Sequence, residues 1–349
     1  MTDETQSPLW MVTQEPGATR LIQYLSRMKE RVLAREQTTL CFSRSELSAV
    51  RALFAKNIRK GEAKLHRLCD LFCGTFFEGV CDMQSVVIGE LPTRDGRFTL
   101  SQGVDSTTLY GQTDLALGNR LLERLRLREG EQWVQPQLVA SFVEYQAHTN
   151  NPYDVHKMIS RIKAEEEIWN KVCDEIFHVD TLVDRDKELR KMGRYIKDVF
   201  GVKLIVGDLE GIRPLHEHLA RLRWTPEALT AWEIPPNSST DRLRIYEVKD
   251  YLGELQRKQT GWEAIKLVAG WADRTFEIQI QSMNNYLLER EHLTKESHSG
   301  FKKRREMLRD TLSERIPLFG FYRDLLHWLF LPEQSVLPTH EGVTIELRD

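Results

Sequence analysis

Asp198 and Glu277 are the two acidic residues whose settings suggest chemistry, and Arg161, Lys163 and Lys171 form a basic group upstream of them. Around Glu277 the segment Thr275–Gln281 alternates, with Phe276, Ile278 and Ile280 on one side and Glu277, Gln279 and Gln281 on the other. A carboxylate flanked by amides on one strand face suits oxygen ligation of a divalent metal. Asp198 sits at the edge of a second strand, before the apolar run Val199–Val206. Two acids on neighbouring strands, facing cations on an adjoining helix, can handle a metal-bound nucleoside triphosphate.

Those residues need a scaffold, and 349 residues are enough for two domains with separate cores. A hydrophobic fraction of 41% and a charged fraction of 29% belong to an ordinary globular protein. The formal net charge of −3 argues against an extensive nucleic-acid surface. Met1–Thr5 carries neither a basic segment nor an apolar stretch, so no signal peptide is expected. Five cysteines in a chain without a secretion signal point to free thiols and a cytoplasmic setting. Cys69, Cys73 and Cys81 follow His66, but their spacing fits no common zinc or iron–sulfur pattern, and Cys69 and Cys73 read as one buried helix face. Pro317–Leu331 is apolar but carries Arg323, Asp324 and His327, which makes it a packed amphipathic helix rather than a membrane span.

The pattern predicts an α+β fold, a mixed sheet flanked by helices, with a mostly helical N-terminal domain over residues 1–150. Helices are expected at Arg20–Ala34, Ser43–Phe77, Asp114–Leu127 and Pro136–Tyr145, the second opening on Ser43 and Glu46 as a capping box. Val86–Ile88 and Arg97–Leu100 read as strands joined through Asp95-Gly96. The polar stretch Ala147–Pro152 is the expected boundary, followed by a second domain over 151–312 and a C-terminal helix and tail over 313–349. In the second domain a helix is expected from Arg161 past Lys171 and another at Lys187–Tyr195. His216–Leu222 reads as a further helix. Strands are expected at Val199–Val206, Leu243–Val248, Glu263–Trp271 and Thr275–Gln281, then a charged helix over Met283–Arg309.

Five segments, in order, give the second domain a resemblance. Ser160-Arg161-Ile162-Lys163 with the later Lys171 is one, and Asp198-Val199-Phe200-Gly201-Val202 is the next. Lys249-Asp250-Tyr251 followed by Lys258-Gln259-Thr260-Gly261-Trp262 is the third. Glu277-Ile278-Gln279-Ile280 and Ser297-His298-Ser299-Gly300-Phe301-Lys302 complete the set. Together they resemble the synthetase domain of the RelA/SpoT nucleotide pyrophosphokinases over about residues 150–305.

That resemblance implies a nucleotidyltransferase-like fold and Mg2+-dependent transfer of the β,γ-pyrophosphoryl group of ATP to the 3′-hydroxyl of GDP or GTP. It implies phosphate binding by Arg161, Lys163, Lys171 and Lys203, the last standing where the family has an arginine. Asp198 would hold Mg2+, and Glu277 would share the metal or accept the hydroxyl proton. The acceptor side would comprise Lys258, Gly261, Trp262, Lys266, Gln279 and His298, with the Trp262 indole stacking on the base. Lys266 and Glu263 depart from the family's acceptor loop, and Gln281 replaces an arginine. Two alternatives stay open: a tRNA 3′-end acceptor favoured by Lys302–Arg305, and a domain that binds nucleotide without turnover; assembly as a homo-oligomer is left open as well. No His…His-Asp set stands in residues 1–150, so no pyrophosphohydrolase activity is expected.

Overall fold

A computed structural model describes residues 16–91, 97–129, 131–148, 151–179, 198–252, 262–295, 307, 309–331 and 336–349. The described residues begin with α1 (Pro16–Leu33), β1 (Thr38–Ser43), α2 (Arg44–Phe76), β2 (Cys81–Glu90) and β3 (Arg97–Gly103). Next come α3 (Ser106–Gly111), α4 (Asp114–Glu123), β4 (Leu127–Glu129), β5 (Gln132–Val134), β6 (Gln137–Ala147), β7 (Val155–Ile162) and α5 (Glu165–Ile176). The remainder comprises β8 (Phe200–Val206), α6 (Ile212–Arg221), α7 (Pro226–Ala231), β9 (Arg244–Asp250), β10 (Ile265–Trp271) and β11 (Arg274–Ser282). It closes with α8 (Met283–Lys295), α9 (Pro317–Phe330) and β12 (Val343–Arg348).

These elements pack into two compact units. One holds the described residues of Gly61–Ile162 and Asp198–Gly300, the other those of Met1–Lys60, Lys163–Lys197 and Phe301–Asp349. The first is built on an eight-stranded mixed sheet in the order β3-β2-β6-β7-β8-β11-β10-β9. Its one parallel pair is β8 with β11, and every other neighbour is antiparallel. The β10–β11 hairpin closes through Ala272 and Asp273, both at positive φ (46° and 60°), which supplies the turn that strand twist favours. In the second unit β1 pairs in parallel with β12, and the Trp169 ring of α5 stacks on Phe330 of α9, centroids 3.6 Å apart. α9 is a packed helix, as its charges predict, and no helix among the described residues is long and apolar enough to cross a membrane.

Three expectations are corrected. The sheet continues through the expected boundary near residue 150, because β6 on one side pairs with β7 on the other. The first 150 residues therefore contribute β2, β3 and β6 to the sheet and do not form a mostly helical domain. Pro136–Tyr145 is strand β6: its apolar run has most of its side chains covered on both faces, so no alternation marks it as β. Arg161 lies on strand β7, and the helix starts only at Glu165, where three acids complement its N-terminus. The turn through Asp95-Gly96 and the helix expected at Lys187–Tyr195 lie outside the described residues.

Candidate active site

The registers of the sheet decide which side chains share a face, since paired residues point the same way and successive residues alternate. Arg161 on β7 is opposite Gly201 on β8, and Gly201 is opposite Glu277 on β11. Lys203 is opposite Gln279, which in turn is opposite Lys266 on β10. Lys266 is opposite Lys249 on β9. One face thus carries Arg161, Lys203, Glu277, Gln279, Gln281, Lys266 and Lys249. Gly201, with no side chain, leaves a gap between Arg161 and Glu277; a methyl there would only reach ordinary contact with Arg161 Cγ at 3.7 Å.

Glu277 is the centre of this face and is 6% exposed. Its Oε1 accepts from Gln279 Nε2 at 2.7 Å, and its Oε2 is paired with the Lys266 ammonium. Burial pushes the Glu277 carboxyl up, and the Asp198 charge adds to this. The Lys266 ammonium, with a contribution from Arg161, outweighs both and holds it below the usual carboxylate range. Glu277 is therefore a buried ionised carboxylate among cations.

A second pair stands beside it. Lys203 Nζ donates to Glu289 Oε1 of α8 at 2.6 Å, and Gln281 Nε2 donates to Glu289 Oε2 at 3.2 Å. Burial lowers the Lys203 pKa, Glu289 raises it, and Arg161 lowers it again. Burial raises the Glu289 carboxyl, but Lys203 and Gln281 bring it below its ordinary value. The charge of Lys203 is thus matched inside the protein. Nothing in the sequence links residues 86 apart, so Glu289 was not foreseen.

Asp198 stands two residues before β8 rather than on it. Its charge acts on Glu277, which places the two acids in one electrostatic neighbourhood. The start of β8 is fixed by Phe200, whose ring packs on Gly61 of α2; any side chain at Gly61 would collide with that ring. Glycine in mid-helix costs about 1 kcal/mol relative to alanine, and here it allows the close approach.

Trp262 lies beside Tyr251, ring centroids 5.3 Å apart at 60°. Tyr251 is anchored by its N–H donating to Ala264 O at 2.9 Å. Asp250, next to it, accepts Arg213 Nη1 at 2.6 Å. Lys258, Gly261 and His298 lie outside the described residues. Arg161, Asp198, Lys203, Trp262, Lys266, Glu277 and Gln279 belong to one unit, whereas Lys163 and Lys171 belong to the other.

The donor set around Glu277 fits a hard divalent cation. It offers carboxylate oxygens kept ionised by their surroundings, with a second carboxylate nearby. Lys266 already supplies a cation to Glu277 Oε2, so a metal there would share or replace that contact.

No protein-family model matches the chain, and no curated protein matches it. Among solved structures it is similar to the small alarmone synthetase 1 of Bacillus subtilis, at 14% identity and a TM-score of 0.27, covering 50% of this chain and 75% of that one. A structure of that synthetase bound to its product pppGpp is similar at 14% identity and a TM-score of 0.26, covering 50% of this chain and 80% of that one.

Proposed function

We propose that this sheet face transfers the β,γ-pyrophosphoryl group of ATP to the 3′-hydroxyl of a guanine nucleotide, with Mg2+ as cofactor. The observation that carries the reading is the buried, ionised Glu277 set between Lys266 and Gln279, with Asp198 and Arg161 close enough to shift it. The order in which the chain presents these residues is the order of the RelA/SpoT segments.

Each residue has a role that its chemistry suits. The Arg161 guanidinium grips phosphate oxygens in bidentate fashion. Lys266 leaves Glu277 for a phosphate oxygen as nucleotide arrives, which frees the carboxylate. Without that ammonium the Glu277 pKa rises, as general-base work near neutral pH requires. Glu277 then accepts the 3′-hydroxyl proton while Gln279 keeps its carboxylate oriented. The 3′-oxygen bonds to the β-phosphorus, the bond from that phosphorus to the α,β-bridging oxygen breaks, and AMP leaves. Asp198 would hold Mg2+, which would supply positive charge to the phosphate oxygens. Trp262 offers a stacking surface for the acceptor base.

The second reading is nucleotide binding without turnover. It is favoured by the engagement of both Glu277 oxygens and by the Lys203–Glu289 pair, since the charges of this face are already satisfied internally. Incubation with γ-labelled ATP, Mg2+ and separate acceptors (GDP, GTP, ADP, AMP, bulk tRNA) distinguishes the two. Label on GDP or GTP supports transfer, whereas calorimetric binding with no labelled product over hours supports the silent domain.

A further inference from the structure

Opposite the Glu277 face, the sheet meets α2 and α4. Glu144 and Tyr145 are consecutive on β6 and point to opposite sides. Glu144 joins Tyr286 of α8, while the Tyr145 hydroxyl contacts His66 Nδ1 of α2 at 3.2 Å. His66 shares one helix face with Glu62, four residues earlier, and both meet Asp114 in the first turn of α4. All three are deeply buried: His66 is 1% exposed, Asp114 2% and Glu62 3%.

The Asp114 N–H donates to Glu62, but three other polar atoms of the cluster are left over. His66 Nε2 and both Asp114 carboxylate oxygens make no hydrogen bond. A buried ionisable group left without a partner is destabilising.

The three ligand atoms lie within 4.8 Å of one another. His66 Nε2 is 3.3 Å from Asp114 Oδ1 and 3.9 Å from Glu62 Oε1. Bonds of about 2.0–2.2 Å to a shared tetrahedral or octahedral ion put ligand atoms about 3.0–3.5 Å apart, so a small contraction completes the set. The outer contacts are those of a metal site. Tyr145 holds His66 Nδ1 and so directs Nε2 inward, and Glu62 Oε1 is fixed by accepting the Asp114 N–H at 2.6 Å.

We propose that Glu62, His66 and Asp114 bind one divalent first-row transition-metal ion, of the Mn2+, Fe2+ or Zn2+ type, that ties α2 to α4 beneath the sheet. One imidazole and two carboxylates suit those ions better than Mg2+ or Ca2+, which favour oxygen alone. The site is closed to solvent, so the ion enters as the protein folds and contributes to its stability.

The test is the metal content of full-length protein after desalting, as purified and after refolding with Mn2+, Fe2+ or Zn2+ in turn. About one ion per chain is expected, with X-ray absorption showing one nitrogen and at least two oxygen neighbours at about 2.0–2.2 Å. Glu277→Gln keeps the ion, which separates this site from the Mg2+ of the proposed reaction. Asp114→Asn loses it. Tyr145→Phe, milder to the fold, weakens binding by roughly 10-fold or more. Wild-type protein that takes up none of the three ions, or an ion retained by both Asp114→Asn and His66→Gln, overturns the proposal. Should Asp114→Asn fail to fold, the wild-type absorption spectrum and Tyr145→Phe decide it.

Discussion

Lys266 stands opposite Gln279 in the β10–β11 register, yet its ammonium crosses diagonally to pair with Glu277, two residues along the same strand. The pair gives Glu277 a pH signature. Its folded-state pKa lies below the ordinary value of 4.5, so the stability it contributes is present above that value and is lost as pH falls through the lowered one. Glu277→Gln should flatten this acid limb when unfolding temperature is followed from pH 7 down to pH 3. An acid limb identical to wild type would mean that Glu277 is not held ionised.

The Lys203–Glu289 pair predicts a double-mutant cycle. Lys203→Met leaves Glu289 buried with only the Gln281 amide, and should lower stability by about 2–4 kcal/mol. Adding Glu289→Leu should recover most of that loss, because an apolar pair needs no compensation. Urea unfolding of the two single variants and the double variant measures the coupling. Strict additivity would contradict the contact.

Gly61→Leu tests how β8 is positioned. Leucine is the better helix former by about 1 kcal/mol, so propensity alone predicts stabilisation. The collision with the Phe200 ring predicts the reverse, a net loss of about 1–3 kcal/mol in urea unfolding. Activity should fall further than stability, since Asp198 lies two residues before Phe200.

Trp262→Ala bears on the acceptor side. Loss of a stacking surface worth about 1–3 kcal/mol per base should raise the acceptor KM by about 5- to 150-fold and leave the ATP KM nearly unchanged. Steady-state kinetics with each substrate varied in turn would show it. A larger effect on ATP would assign the indole to the donor nucleotide.

Much of the Glu277 strand was readable because β11 alternates in residue type. The expected Ser43–Phe77 helix appears as α2 (Arg44–Phe76), with Ser43 Oγ accepting the Glu46 N–H at 3.3 Å. β6 was not readable, since Leu138, Val139, Phe142, Val143 and Tyr145 are distributed over both faces of a covered sheet. Arg161 was misplaced because the acidic run at Glu165–Glu167 signals a helix without showing where it begins. The boundary expected at Ala147–Pro152 falls between the paired strands β6 and β7, and local polarity alone cannot tell such a place from a linker. Glu289 meets Lys203, and Asp114 meets the i,i+4 pair Glu62 and His66, only through tertiary structure.

The most direct measurement follows phosphorus by 31P NMR in wild-type protein and Glu277→Gln supplied with ATP, Mg2+ and GDP or GTP. AMP and a 3′-pyrophosphorylated guanine nucleotide should appear one for one in wild type, and neither in a folded Glu277→Gln. ADP with inorganic phosphate as the only products, or undiminished transfer by Glu277→Gln, would contradict it.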